Sequence, residues 1–187
     1  METMVKVLTY NNRPDIYDER YNRATASMIK EHLTIPYEHT HFNGEGGDSW
    51  FSIDMFKYEP YLFVALDAIV TGSLNECVNV GKFTAIEAWK RPGMPNLSLA
   101  WIEDVEYLYD LYKEREYQIK HDYPWDQLAE QKWLKEHADL EFWPVGWVTS
   151  RKWHGEPGED TKMVVFHGHP KPHQCNGWAK ELWERYV

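Results

Sequence analysis

The apolar positions in the first part of the chain change from a strand-like to a helix-like pattern and back. The β-rich run MVKVLTY, residues 4–10, predicts a first strand, and the turn-forming letters NNRPD that follow predict a loop. A helix is predicted over about residues 16–31, with Asp15 as its N-cap. The residues that would share its buried face are Tyr17, Tyr21, Ala24 and Met28. IPYEHTHF then predicts a second strand, and the order β-α-β favours an α/β fold.

The rest of the chain continues to alternate between strand and helix patterns, with no repeat and no linker. SWFSIDMFKYEP predicts a short helix that ends before Pro60, and KFTAIEAW and PNLSLAWI predict two strands. Helices are expected over about residues 103–120 and from near Trp125. FWPVGWVTS and TKMVVFHG predict late strands, and NGWAKELWERYV predicts a terminal helix. The pattern and the length predict one domain over residues 1–187.

One acid interrupts the most apolar run of the chain. In YLFVALDAIVTG, residues 61–72, the carboxylate of Asp67 stands near the end of a predicted buried strand, and no basic residue follows until Lys82. Burying a carboxylate without a partner costs several kcal/mol, so Asp67 must meet water or a cation. Open α/β sheets bind ligands beyond the carboxyl ends of their strands. We therefore predict that Asp67 lies at a ligand site.

Composition and charge narrow the classes of function. The 30 acidic and 20 basic residues give a formal net charge of −10, which argues against a general nucleic-acid or anionic-membrane binder. The two cysteines make a disulfide framework improbable and favour a reducing compartment. No apolar stretch approaches the roughly 20 residues of a transmembrane helix, and the N-terminus lacks a signal-peptide layout. We expect a cytoplasmic protein, in the host cytoplasm if the source is a virus.

The segment FHGHPKPHQC, residues 166–175, concentrates side chains that can bind ligands. Its glycine and two prolines prevent regular structure and predict a shaped loop. Lys171, between the prolines, would present a fixed positive charge to a phosphate. A hard divalent cation takes carboxylate oxygens and, in the case of Mn²⁺, an imidazole, so Asp67 together with His167 would suit Mn²⁺. The segment also contains two further histidines, His169 and His173.

The order of four stretches resembles a bacterial and viral group of GT-A-class glycosyltransferases, which move a sugar from a nucleotide-diphosphate sugar to an acceptor with the help of a divalent metal. They are YDERYNRATASMIKEHLTIPYEH; GGDSWFSIDMFK with YLFVALDAIVTGSL; YPWDQLAEQKWL; and VTSRKWHG with VVFHGHPKPHQ. The GGDSWFSIDMFK stretch and the apolar run after it resemble the family's Gly-Trp stretch followed by its acid-x-acid strand. The closing stretch, with its His-Gly and Lys-Pro pairs, is the most specific. The resemblance implies a single-domain, Rossmann-like GT-A fold with a mixed, mostly parallel sheet flanked by helices.

The resemblance also implies roles for individual residues. By similarity to the family's motifs, Asp67 and His167 would hold Mn²⁺ or Mg²⁺, and Lys171 would meet the donor diphosphate. The residues that would bind the nucleotide sugar are Tyr10, Asn11, Asn12, Trp50 and Lys171. Asp126 and Gln127 would face the sugar or the acceptor, with Asp126 as the better candidate for a catalytic carboxylate. The donor would be a UDP- or GDP-sugar, and the acceptor a glycan, a protein or a small molecule.

Two departures from the family pattern leave other functions open. Ala65 stands where the first acid of Asp-x-Asp is expected, and Ile53 stands where a lysine usually follows the Trp stretch. A non-catalytic protein that binds nucleotide sugars or carbohydrates is therefore an alternative. A third possibility is a zinc-dependent hydrolase or metal-binding protein that uses His167, His169 and His173, although their spacing is not that of helical zinc ligands.

Overall fold

The computed structural model describes residues 4–44, 50–124 and 128–187, and all structural statements refer to these ranges. The strands are β1 (Val5–Asn11), β2 (Tyr37–Asn43), β3 (Tyr61–Val64), β4 (Ala68–Val70), β5 (Thr84–Glu87), β6 (Pro95–Ile102), β7 (Glu141–Phe142), β8 (Val148–Ser150) and β9 (Met163–Val165). The helices are α1 (Glu19–His32), α2 (Phe51–Asp54), α3 (Glu106–Asp122), α4 (Ala129–His137), α5 (Arg151–His154) and α6 (Trp178–Tyr186). Short 3-10 turns cover Met55–Tyr58, Asn75–Cys77 and Pro172–Gln174.

Six of the described strands form the main sheet, in the order β2-β1-β3-β6-β5-β7. β1 runs parallel to β2 and β3, and β7 runs parallel to β5, whereas β6 is antiparallel to both of its neighbours. Three of these five pairs are therefore parallel. Helices cover the sheet, so the prediction of a mixed, mostly parallel α/β sheet flanked by helices is confirmed. In the described ranges, no helix combines the length and the apolar character that crossing a membrane requires.

The apolar run of residues 61–72 forms two strands and not the single strand that its pattern predicts. β3 ends at Val64 in the main sheet, and β4 begins at Ala68 in a second, three-stranded sheet of order β4-β9-β8. Asp67 lies in the connection between the two sheets. Its backbone carbonyl accepts a hydrogen bond of 2.7 Å from the amide of Phe166, at the end of β9. This pairing brings the two segments singled out from the sequence next to each other.

Helix α1 begins three residues later than the predicted N-cap would place it. Asp18 is the N-cap, and its side chain accepts a hydrogen bond from the amide of Arg20. Asp15 instead pairs with Arg13 in the preceding turn, with 3.0 Å between Asp15 Oδ2 and Arg13 Nη2. The prediction of Asp15 as the cap was wrong because Asp15 lies inside a turn that precedes the helix, in which the amides of Ile16 and Tyr17 donate to the carbonyl of Arg13. Consequently Tyr17 precedes the helix and turns towards Asp67.

Each face of the main sheet carries its own apolar core, because successive strand residues point to opposite faces. Leu62 and Val64 of β3 join the core beneath α1 and α6, whereas Tyr61 joins the core beneath α3 and α4. The same alternation holds along β6, where Trp101 and Ile102 enter different cores. The two cores fix the strands, and the strands fix the loops at their carboxyl ends.

Unfolding should depend on pH through a histidine pair at the sheet edge. Burial, followed by the charge of His41, lowers the pKa of His39, whose Nε2 lies 3.0 Å from Thr9 Oγ1. His39 therefore takes up a proton more readily in the unfolded chain than in the folded chain. As a result, the folded protein loses stability as the pH falls through the ordinary histidine pKa of about 6.5. Urea unfolding at pH 7.5 and 5.5 should show a smaller acid loss in His39→Gln than in the parent. The exposed control His121→Gln should behave like the parent, and equal acid losses in all three proteins would contradict this assignment.

Candidate functional site

A cavity of about 260 Å³ opens at the carboxyl ends of β1 and β3. These strands are parallel neighbours, so the residues that follow them meet at one edge of the sheet. Helix α2 and the start of α4 close the other sides. The polar and small residues that line the cavity include Tyr10, Asn12, Tyr17, Ser52, Ala65, Asp67 and Glu130.

A buried ion pair lies at one end of this cavity. The ammonium of Lys171 donates hydrogen bonds to Asp67 Oδ2 at 2.9 Å, to the hydroxyl oxygen of Tyr17 at 2.6 Å and to the carbonyl of Phe166 at 3.1 Å. The Tyr17 hydroxyl in turn donates to Asp67 Oδ2 at 3.2 Å. The side chain of Lys171 is 6% exposed and that of Asp67 is 18% exposed. The cation that Asp67 requires is thus supplied by a lysine 104 positions away.

The electrostatics of this pair keep Tyr17 protonated. Burial raises the pKa of Tyr17 far above its ordinary value, and the charge of Asp67 raises it further. The phenol can therefore donate to the carboxylate while its oxygen accepts from Lys171. This three-residue group, Asp67–Tyr17–Lys171, presents one fixed positive and one fixed negative charge at the edge of the cavity.

The loop that carries Lys171 is clamped by its own side chains. The backbone amide of Lys171 donates to the side-chain oxygen Oε1 of Gln174 at 2.8 Å. The backbone amide of Gln174 donates in return to the backbone carbonyl of Lys171 at 2.9 Å. The Nδ1 atom of His169 lies 3.1 Å from the same Gln174 oxygen. The 3-10 turn that begins at Pro172 therefore holds the lysine backbone in place, as the flanking prolines predict.

His167 lies in an aromatic setting beside the ion pair. Its ring stacks on Trp89 with 5.4 Å between centroids, and its centroid lies 4.6 Å from that of Trp153. Its Nε2 is 3.4 Å from Ser150 Oγ. Burial lowers the pKa of His167, although the charge of Asp67 acts in the opposite direction. The imidazole is therefore neutral near pH 7, which is the form that binds metals.

The side chains that could bind a metal at this site fit a divalent ion only in part. Asp67 and His167 supply one carboxylate and one imidazole, and no group of three His, Cys, Asp or Glu side chains converges within residues 4–44, 50–124 and 128–187. Mg²⁺ is commonly held by one or two carboxylates together with substrate phosphates. Only Oδ2 of Asp67 is engaged by Lys171 and Tyr17. These residues therefore suit an ion that arrives bound to a diphosphate, and they do not suit an ion held by protein ligands alone.

The three histidines of the loop do not form a zinc site in the described structure. His167 is held between two tryptophans, His169 contacts Gln174, and His173 Nδ1 lies 2.7 Å from the hydroxyl of Tyr21. Each ring thus has a different set of partners. The geometry gives no support to the hydrolase alternative.

The residues predicted to bind the nucleotide divide into two groups. Tyr10 and Asn12 line the cavity, and the Tyr10 ring stacks on Phe51 with 3.4 Å between centroids. Asn11 is buried, and its side chain shapes the loop, with Nδ2 donating to the carbonyl of Tyr17 at 2.6 Å. Trp50 is 2% exposed and stacks on Tyr112 in the core, so its ring does not face the cavity.

The two departures from the family motifs lie in different surroundings. Ala65 lines the cavity, where its methyl group offers no ligand oxygen. Ile53 is fully buried, and its neighbour Ser52 lines the cavity. Asp126 and Gln127, the predicted catalytic residues, lie outside the described residues. Glu130, on the first turn of α4, is the carboxylate of this helix that the described structure places at the cavity.

Sequence reasoning did not identify Tyr17, Phe51 or Glu130 as site residues. Tyr17 fits the apolar spacing of α1, and Phe51 and Glu130 occupy ordinary helix positions. Their side chains reach the cavity only because distant elements pack together. No local sequence signal could have distinguished them.

Comparison with solved structures identifies the fold. GlyE, a glycosyltransferase of Streptococcus pneumoniae TIGR4, matches 99% of this chain at 13% identity with a TM-score of 0.68, and the match spans 60% of the GlyE chain. A glycosyltransferase involved in glycosylation of the major capsid of PBCV-1 matches with a TM-score of 0.62 at 14% identity, over 98% of both chains. The galactosyltransferase LgtC, solved with donor and acceptor sugar analogs, matches with a TM-score of 0.67 at 9% identity, over 98% of this chain and 96% of that chain.

The chain therefore has the fold of these glycosyltransferases, which confirms the predicted resemblance at the level of fold. Comparison with protein-family models gave no match, and neither did comparison with curated proteins.

Proposed function

We propose that this chain is a glycosyltransferase that binds a nucleotide-diphosphate sugar in the cavity at the ends of β1 and β3. The observation that carries the proposal is the Asp67–Tyr17–Lys171 group, which joins two distant segments at the edge of that cavity. The fold supports it, because the structural neighbours named above are glycosyltransferases. The donor would be a UDP- or GDP-sugar.

The cavity offers one end for the nucleoside and another for the phosphates. Tyr10, Phe51 and Asn12 provide an aromatic and amide surface suited to a base and ribose. Lys171 provides a fixed ammonium, which would stabilise the negative charge that develops on the diphosphate leaving group. Preorganised charges of this kind are commonly the largest single contribution to catalysis.

We further propose that Asp67 and His167 hold Mn²⁺ or Mg²⁺ when the donor is bound. Such an ion supplies additional stabilisation of charge on the phosphate oxygens. The protein residues would hold this site in place, because Lys171 is bonded to Asp67 Oδ2 and the aromatic neighbours Trp89 and Trp153 restrict the His167 ring.

A carboxylate on the α4 side of the cavity would accept the proton of the acceptor hydroxyl. Asp126 and Gln127 remain the proposed catalytic and sugar-facing residues, with Asp126 as the carboxylate that would accept a proton from the acceptor hydroxyl. Glu130 is a second candidate for that role because it lies on α4 and lines the cavity.

A second candidate function is donor binding without transfer. Ala65 at the cavity supports it, because the first acid of the metal motif is missing there. Hydrolysis or transfer of a bound UDP- or GDP-sugar by the pure protein would exclude this candidate. Donor binding without turnover, over a panel of sugars and acceptors, would favour it.

Donor binding can be tested by calorimetry with UDP, GDP and uridine, with and without Mn²⁺. We expect Lys171→Met to weaken diphosphate binding about 10-fold, which corresponds to about 1.4 kcal/mol, because it removes the fixed positive charge beside the cavity and leaves Asp67 negative. Uridine binding should not change, which shows that the cavity is intact. The control Lys82→Met removes a lysine whose partner is the exposed Glu141 and should leave both ligands unaffected.

Two outcomes would contradict different parts of this proposal. Equal diphosphate affinity in the parent and Lys171→Met would reject the assigned role of the lysine. Diphosphate binding that does not respond to Mn²⁺ or Mg²⁺ would reject the metal role of Asp67 and His167. A thermal-shift screen first identifies the nucleotide, since a ligand at a hundred times its dissociation constant adds about 2.7 kcal/mol of stability.

A further inference from the structure

A further group of aromatic residues adjoins the proposed donor site. We call Trp89, Trp153, His154 and His167 the tryptophan cluster. The centroid of Trp89 lies 5.8 Å from that of Trp153 and 6.2 Å from that of His154, and both tryptophans contact His167. Trp153 is 40% exposed. The indole of Trp89 is fixed by a hydrogen bond from Nε1 to the carbonyl of Val148 at 3.1 Å.

Regular backbone supports the cluster. Trp153 lies on α5, which directly follows β8, and the Ser150 amide donates to His154 Nδ1 at 3.1 Å. The cluster therefore joins one end of the small sheet to the segment that follows β5. A partly exposed tryptophan on a fixed support is a surface suited to the apolar face of a sugar ring, with the polar edge left to hydrogen-bond its hydroxyls.

Two ammonium groups lie near the exposed ring of Trp153. The ammonium of Lys90 lies 5.7 Å from the centroid of the Trp153 ring, and that of Lys152 lies 6.0 Å from it. In the described part of the chain, neither lysine forms an ion pair with a carboxylate. The acids that follow α5 in sequence do not pair with Lys90 or Lys152 either. They are Glu156, Glu159 and Asp160. A chain with a net charge of −10 thus carries a local cationic surface at this point.

Cavities open on both sides of the cluster. One of about 210 Å³ is lined by Arg151, Lys152 and His167 with their neighbours. Another of about 360 Å³ is lined by Trp89, His154 and Thr149, among others, and the buried hydroxyl of Thr149 has no hydrogen-bond partner. Lys152 and His167 thus line a concave surface, which suits a small ligand better than a flat partner surface.

His167 connects this surface to the donor site. It belongs to the tryptophan cluster, and it directly follows Phe166, whose amide and carbonyl bind Asp67 and Lys171. A saccharide on Trp153 would thus lie beside the diphosphate end of the donor cavity, where an acceptor must approach.

We propose that the tryptophan cluster, with Lys90 and Lys152, is the acceptor subsite and binds a saccharide that carries a carboxylate or a phosphate group. This inference rests on the proposed glycosyltransferase function. The aromatic rings hold the sugar ring, and the two ammonium groups select the negative charge. Because both lysines are exposed, the selection should weaken as the salt concentration rises.

The test compares three small sugars by saturation-transfer NMR and calorimetry, without donor. Methyl β-glucuronoside and methyl β-glucoside differ only in the carboxylate, and glucose 6-phosphate provides the phosphate. We expect at least one anionic sugar to bind about tenfold more tightly than the glucoside, which corresponds to about 1.4 kcal/mol. Glucuronoside binding alone would identify a carboxylate ligand, and glucose 6-phosphate binding alone would identify a phosphate ligand.

Variants separate local recognition from overall charge. Lys90→Ala/Lys152→Ala should abolish the preference for the anionic sugar, whereas Trp153→Ala should weaken all three sugars. The control Lys30→Ala/Lys57→Ala removes two exposed lysines elsewhere and should keep the preference. Equal binding of the three sugars, no binding of any, or an unchanged preference in Lys90→Ala/Lys152→Ala would overturn the proposal.

The outcome is distinguishable from failure of the proposed function. The lysine variant should still bind UDP or GDP, because neither lysine bonds to the Asp67–Tyr17–Lys171 group at the proposed diphosphate site. Donor binding with no anionic preference rejects only the acceptor subsite. An anionic preference without any donor binding rejects the transferase proposal and leaves a saccharide-binding surface.

Discussion

Asp67→Asn is expected to lower the free energy of unfolding by about 3–5 kcal/mol, which is the usual cost of leaving one member of a buried ion pair alone. The asparagine would leave the ammonium of Lys171 with only neutral partners, the Tyr17 hydroxyl and the Phe166 carbonyl. The side chain of Lys171 is 6% exposed, so water cannot replace the lost carboxylate. Urea unfolding monitored by circular dichroism and tryptophan fluorescence measures the change.

The reciprocal variant should cost less. Lys171→Met leaves Asp67 charged, but this carboxylate is 18% exposed and keeps the hydrogen bond from Tyr17. We expect a loss of about 2–3 kcal/mol, towards the lower end of the range for broken buried pairs. The double variant Asp67→Asn/Lys171→Met should lose less than the sum of the two single changes, because contacting residues are not additive.

The control for this cycle is Lys82→Met, which makes the same substitution in an exposed pair. Lys82 and Glu141 are 42% and 58% exposed, so the loss should stay below about 1 kcal/mol. Equal losses of unfolding free energy in Lys82→Met and Lys171→Met would contradict this prediction, and so would strict additivity in the double variant. Either result would show that the Asp67–Lys171 pair stabilises the fold no more than an exposed pair does.

This stability role bears on how the donor-binding experiments are interpreted. An ion pair that fixes the junction between the two sheets also fixes the cavity, so loss of binding in Asp67→Asn has two physical causes. Uridine separates the two causes because it lacks phosphates. Its affinity depends on the shape of the cavity and not on the charges of Asp67 and Lys171. Binding is therefore compared at a temperature at which circular dichroism shows each variant to be folded.

The sequence predicts most of the strands because burial imposes a simple pattern on them. PNLSLAWI, for example, becomes β6 with the bounds that its pattern indicates, Pro95–Ile102. Asp67 was predicted to need a cation and a ligand site, and the structure places it beside both an ammonium and a cavity. A buried charge is a strong constraint that can be recognised from one residue and its neighbours.

Other parts of the site depend on contacts over long sequence separations, which no local pattern encodes. Tyr17 contacts Lys171, which lies 154 positions away in sequence. No residue pattern in the turn before α1 predicts this contact. The sequence pattern likewise does not show that the apolar run breaks at Ala65, because the strands on both sides of the break are apolar and buried. For Asp126 and Gln127 the assignment remains a prediction from the resemblance.

Trp50→Ala should cause one of the largest losses of stability in the molecule, because the structure places this residue in the core. Its ring stacks on Tyr112 at 5.5 Å between centroids and contacts Trp133 at 6.0 Å. Removing a buried tryptophan costs about 3–5 kcal/mol. In a chain of this size each kcal/mol lowers the melting temperature by about 2–4 °C, so the midpoint should fall by about 6–20 °C.

A platform role for Trp50 predicts a different result, and two further variants distinguish the two roles. Trp50→Phe keeps an aromatic ring in the core, so it should retain UDP or GDP sugar affinity while losing part of the stability. Trp153→Ala, at a ring that is 40% exposed, should change the stability by less than about 1 kcal/mol, as is usual for surface positions. If Trp50→Phe is as stable as the parent but binds the donor sugar at least tenfold more weakly, Trp50 acts in sugar binding and not in packing. The expected pattern instead assigns the indole to the core that supports α3 and α4, and leaves Tyr10 and Phe51 as the aromatic surface of the cavity at the ends of β1 and β3.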